Sequence, residues 1–123
     1  MTGPPSPRVL VVDDDLRFVQ AVTALLEAGG IEVVGHASNG AAAVREVEHL
    51  EPDVVTLDID MPIMDGVEAT KAIAPLGIPI VILSGSDSSE RIGEAIAAGA
   101  RASVVKSEAA HLLVPLLKAI VDA

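Results

Sequence analysis

The chain has 123 residues, half of them hydrophobic and 21% charged, a composition that fits one folded domain with a sizeable core and excludes a disordered chain. A formal net charge of −10 argues against the DNA phosphate backbone as a direct partner, and a single aromatic residue, Phe18, leaves no platform for stacking bases. With no cysteine there is no disulfide or thiol chemistry, which fits a reducing cytoplasm, and no apolar run approaches the roughly 20 residues of a membrane span.

The opening "MTGPPS" is Pro-rich and lacks the apolar core of a signal peptide. It predicts a flexible tail over residues 1–6, ahead of one domain over residues 7–123. "RVLVV" (Arg8 to Val12) is a short β-branched run that predicts a buried strand. "DDD" follows, with Asp15 as a helix cap. Phe18, Val19, Val22, Leu25 and Leu26 then recur at helical spacing, and Gly29-Gly30 closes that helix. "IEVVG" predicts a second strand and Asn39-Gly40 a turn or cap. Ala43, Val44, Val47 and Leu50 mark a second helix.

"PDVVTLD" predicts the third strand and "MPIMDG" a loop, in which Asp65-Gly66 forms a turn and Met61 and Met64 pack. Val67, Ala69, Ile73 and Ala74 suggest a third helix that Pro75 ends. "IPIVILS" is the fourth strand. Asp87 and Glu90 form a capping pair for a fourth helix that ends at Gly99. "ASVV" is the fifth strand, and residues 107–122 form the fifth helix. Pro115 inside it implies either a kink or a later start of the regular helix.

Five βα units with strands apolar throughout predict an α/β domain whose parallel sheet is covered by helices on both faces. In such sheets ligands bind beyond the carboxyl ends of the strands. The polar residues there are Asp13, Asp14 and Asp15, then Asp58, Ser84 and Lys106. With strand order 2-1-3-4-5 the switch point falls between the first and third strands, where the acidic groups converge. Clustered carboxylates raise one another's pKa unless a cation neutralises them, and Mg²⁺ suits oxygen ligands beside a phosphate. A lysine and a hydroxyl nearby complete a phosphate-handling set, and a carboxylate can itself accept a phosphoryl group. Taken singly, each piece has a plainer reading. The acidic triplet reads as caps and solvated charge, Ser84 as a hydroxyl bonded to backbone, and Lys106 as a solvated lysine. Their shared place at strand ends reverses that reading. His36, His49 and His111 are scattered without ligand-like spacing and are assigned no function.

"VLVVDDD", "PDVVTLDIDMPIMDG", "IPIVILSG" and "VVKS" together resemble, in order and spacing, the response-regulator receiver domain of bacterial two-component signalling. The resemblance covers nearly the whole chain, from Arg8 to about Val121. It implies a flavodoxin-like (βα)5 three-layer sandwich with a five-stranded parallel sheet in the order 2-1-3-4-5. It implies that Asp58 accepts a phosphoryl group from a histidine kinase or phosphotransfer protein. Asp13, Asp14 and Asp58 would hold Mg²⁺, with the backbone carbonyl of Asp60 as a further ligand. Ser84 would be the switch hydroxyl and Lys106 the phosphoryl-binding cation. Asp60 and Ser86 would border the path of the hydrolytic water. The protein would be a switch that catalyses its own phosphorylation and dephosphorylation rather than a turnover enzyme. Its further partners would be an output domain or protein target, or a second copy bound through the face of the fourth helix, fifth strand and fifth helix.

Three positions depart from the pattern: Ser103 where the family usually has an aromatic, Ser107 where it usually has proline, and Pro115. All touch that output face. Two other functions compete. A haloacid-dehalogenase-type phosphatase also uses a D-x-D strand like "VVTLDID", but there the nucleophile precedes the acidic pair, and here it follows. A pseudo-receiver would keep the fold without the switching, and Ser103 favours it. These residues hold no output domain, so the reading is either a single-domain regulator or a segment of a longer chain.

Overall fold

The computed structural model describes residues 6–61, 63–85 and 89–122. Residues 1–5 of the expected tail, the Asp87 cap and Ser86 lie outside them. Five strands, β1 (Arg8–Val12), β2 (Glu32–Ala37), β3 (Val54–Asp58), β4 (Ile80–Ser84) and β5 (Ala102–Val105), alternate with five helices. These are α1 (Leu16–Ala28), α2 (Gly40–Leu50), α3 (Gly66–Ile73), α4 (Ser89–Ala97) and α5 (Ala109–Asp122). The sheet is parallel throughout, in the order β2-β1-β3-β4-β5.

Successive strand residues point to opposite faces, and two apolar layers result. Leu10, Val12, Val55, Leu57, Ile80 and Ile82 pack under α2, α3 and α4. Val9, Val11, Val54, Val81 and Leu83 pack under α1 and α5 through Val22, Leu26, Leu113 and Leu117. This is the three-layer sandwich expected from the uninterrupted apolar runs. The inner strands β1, β3 and β4 are buried almost throughout, whereas the edge strands β2 and β5 are half-exposed. An edge strand has one neighbour and less helical cover, so its apolar residues do not imply burial on both faces.

The caps hold as read: Asp15 Oδ1 accepts from the Arg17 and Phe18 amides, and Asn39 Oδ1 from Ala42. β2 runs two residues past the expected "IEVVG". The last helical segment opens as a 3-10 turn over Lys106–Glu108, and regular helix begins only at Ala109. Pro115 still lies inside α5, on its exposed side. There the carbonyl that loses its helical partner can turn to water.

Candidate acceptor site

The carboxyl ends of β1, β3, β4 and β5 bring Asp13, Asp58, Ser84 and Lys106 to one edge of the sheet. Asp13 continues β1, its amide donating to the Ala37 carbonyl at 3.0 Å. It is 1% exposed, and Asp58, the last residue of β3, is 4% exposed. Asp13 Oδ1 accepts from the Asp15 amide at 2.9 Å. Asp58 Oδ1 accepts from the Asp60 amide at 3.2 Å. The Lys106 ammonium stands between them, 2.6 Å from Asp13 Oδ2 and 3.7 Å from Asp58 Oδ2. Asp14 is exposed at the rim. One oxygen from each of Asp13, Asp14 and Asp58 lies within 4.8 Å of the others.

Burial pushes the Asp58 carboxyl from 3.8 up to about 6; the Asp60 amide opposes this, the charge of Asp13 adds to it, Lys106 opposes it and Asp14 adds to it. Burial alone would lower Lys106. The bond to Asp13 and the negative charges around it outweigh burial, so the ammonium is held above its usual range.

Three carboxylates against one ammonium leave two negative charges uncompensated in a mostly buried cleft. A hard divalent cation with oxygen preference fits that donor set in charge and chemistry. Ser84 is fully buried, and its Oγ has no hydrogen-bond partner among the described residues. A buried hydroxyl left so costs about 1–3 kcal/mol, a cost that an incoming acceptor atom would remove.

Asp60 stands apart from the carboxylate cluster. Its side chain turns to Arg91 of α4, which also pairs with Asp65 Oδ2 at 2.9 Å. Asp65 at the same time caps α3, its Oδ1 accepting from the Glu68 amide at 3.0 Å. Glycine makes two close backbone approaches around this loop. A Cβ on Gly66 would meet Ile59 Cα at 2.6 Å and the Asp58 carbonyl at 2.7 Å, and one on Gly40 would meet the Met64 carbonyl at 2.5 Å. Ser103 and Ser107 are both exposed.

Two participants were not read from sequence. Phe18 packs its ring under the Lys106 ammonium, 4.4 Å from centroid to nitrogen, a cation–π contact that holds the lysine toward the cleft. Arg91 is the other. Its signal was its position: a cation in the first turn of a helix opposes the helix dipole, so it needs a partner elsewhere.

Comparison with known proteins gives a consistent result. A family profile described as the response regulator receiver domain matches residues 9–118. A chemotaxis protein CheY from Thermotoga maritima is 39% identical over 101 residues, 80% of this chain and 84% of that protein. A protein-glutamate methylesterase/protein-glutamine glutaminase from a Nocardioides strain is 51% identical over 83 residues, 65% of this chain, and the match spans only 23% of that protein's length. The crystal structure of the response regulator domain of Thermotoga maritima CheB superposes with a TM-score of 0.88 at 27% identity, covering 96% of this chain and 98% of that one.

Proposed function

The chain belongs to the response-regulator receiver domain family, and from that premise we propose that Asp58 is its phosphoryl acceptor, with Asp13, Asp14, Ser84 and Lys106 as the supporting site. The observation that carries this is the grouping of Asp13, Asp14 and Asp58 oxygens within 4.8 Å, with Lys106 between Asp13 and Asp58.

Asp13, Asp14 and Asp58 would hold Mg²⁺, and the Asp60 carbonyl would add a ligand. When bound the ion supplies positive charge that offsets both the carboxylates and the phosphoryl oxygens. An Asp58 oxygen forms a bond to phosphorus as the bond from phosphorus to the donor breaks, giving an acyl phosphate and the freed donor. The donor is a phosphohistidine of a kinase or phosphotransfer protein. Lys106, held beside Asp13 and the Phe18 ring before transfer, moves off to bind a phosphoryl oxygen, and the Ser84 hydroxyl turns to donate to another. Those two movements bias α4 between two arrangements. Water later cleaves the acyl phosphate, which makes the protein a self-resetting switch.

The output surface we propose is the face of α4, β5 and α5, for a target, an attached domain or a second copy. The exposure of Ile96, Val105 and Leu112 supports it. The setting we propose is cytoplasmic. Among the described residues no helix is long and apolar enough to cross a membrane.

Labelling of the wild type and Asp58→Asn with a small acyl phosphate donor, with and without Mg²⁺, tests the assignment. Label should enter the wild type only with Mg²⁺ and should not enter the variant. Equal labelling of the two would remove Asp58 from the role.

A further inference from the structure

Arg91 lies outside the acidic cleft but grips the segment that borders it. From the third position of α4, one guanidinium nitrogen pairs with the Asp60 carboxylate. The other donates to the Ile59 carbonyl at 3.2 Å and lies 2.9 Å from Asp65 Oδ2. One planar fork thus holds three groups spanning residues 59–65, which the single point charge of a lysine cannot reproduce.

Stability does not explain the arrangement. The paired side chains are a third to half exposed, and such pairs contribute about 0–1 kcal/mol. The helix dipole also disfavours a cation at that position. What the fork does control is direction. The Asp60 amide donates to Asp58 Oδ1 at 3.2 Å, so the acceptor carboxylate is oriented by a residue whose own side chain is anchored on α4. The ends of the segment are fixed separately, by the bonds from Gly40 N to Met64 O at 3.2 Å and from Gly66 N to Ile59 O at 3.1 Å.

We propose that Arg91 is a positioning residue for phosphoryl acceptance: it ties α4 to Asp60 and, through the Asp60 amide, holds the Asp58 carboxylate in its attacking orientation. This rests on the assignment of Asp58 as acceptor. Coupling of this kind is reciprocal, so the same fork transmits a change at Asp58 to α4.

The test measures the phosphorylation rate constant with a small acyl phosphate at saturating Mg²⁺, together with Mg²⁺ affinity and thermal melts. The set comprises wild type, Arg91→Gln, Arg91→Ala, Arg91→Lys, Asp60→Ala and the Asp60→Ala/Arg91→Ala double variant. Misplaced reacting groups lose rate steeply, so at saturating Mg²⁺ Arg91→Gln and Arg91→Ala should lower the rate constant by about threefold or more. Arg91→Lys should recover only part of the loss. In the Asp60→Ala background, Arg91→Ala should add less than about 1.5-fold, since the two residues act as one unit. A wild-type rate constant in Arg91→Gln overturns the proposal, as do losses that multiply in the double variant. A lowered melting temperature with an unchanged rate constant also overturns it, by making Arg91 merely structural. A wild type that takes no label removes the acceptor assignment itself, and the Arg91 role with it; a labelled wild type with rate-neutral Arg91 variants removes the Arg91 role alone.

Discussion

At the scale of single residues, Asp58 is held in a condition that costs stability. The unfolded chain releases this proton near 3.8, whereas the folded chain keeps it until about 6. Between those values the native state binds the extra proton. Stability therefore falls as pH rises, and the penalty is complete above about 6, on the order of 3 kcal/mol. Asp58→Asn should raise the melting temperature at pH 7.5 and leave it nearly unchanged at pH 4, where the wild-type carboxyl is already neutral. Circular-dichroism melts at the two pH values check this, and equal shifts at both would contradict it. Thr56 carries a second local cost. Its hydroxyl is buried in the middle of β3 without a hydrogen-bond partner among the described residues. Thr56→Val keeps the shape and removes the stranded group, so it should stabilise by about 1 kcal/mol. In urea unfolding this is a higher midpoint at unchanged slope; a lower midpoint would mean the hydroxyl has a partner. The strand-end residues Asp13, Asp14, Asp58, Ser84 and Lys106 were legible in sequence because each is the first polar residue, or nearly so, after an apolar run. Phe18 and Arg91 were not, because what they touch is set by how distant segments meet. Arg91 is 31 positions from Asp60.

Among the elements, the start of α3 is specified by two adjacent residues. Asp65 caps α3, and Gly66 lets the helix start against the backbone of Asp58 and Ile59. Gly66→Ala would drive a methyl into main chain that cannot move without moving Asp58. It should cost about 2 kcal/mol or more and slow phosphorylation by about tenfold or more. Chemical denaturation and the rate constant together check this, and wild-type values in both would show that the loop yields. "MDG" signalled the turn in sequence, but the cap by Asp65 and the close approach at Gly66 needed the packed α3. The start of α5 was misjudged for a similar reason. Residues 106–108 have polar helical character, yet Lys106 must reach back toward Asp13, and the chain there takes the tighter 3-10 form. The apolar strand runs made the sheet readable, while the exposure of β2 and β5 followed from their edge positions, which a run of Val and Ile does not encode.

For the whole molecule, the sheet order places the first and third strands side by side, so residues 13 and 58 meet although 45 positions separate them in the sequence. That order was legible only through the family resemblance; hydrophobic periodicity alone does not rank strands. The result is a domain of net charge −10 in which three carboxylates gather at one end of the sheet. Mg²⁺ should therefore act as a folding ligand. At tenfold over its dissociation constant it should add about 1.4 kcal/mol, or about 5 °C in melting temperature. The effect should be largest above pH 6, shrink as Asp58 takes up its proton, and vanish with a chelator. A melting temperature indifferent to Mg²⁺ at pH 7.5 would count against the carboxylate cluster as its site. Phe18 has one more consequence. The chain contains no Trp or Tyr, so ordinary fluorescence is silent, yet its lone ring lies 4.4 Å from the Lys106 nitrogen. The ring current should shift the lysine's terminal methylene protons upfield in NMR. As Lys106 leaves the ring for a phosphoryl oxygen that shift should fade, so the protein carries its own magnetic gauge of how full the site is.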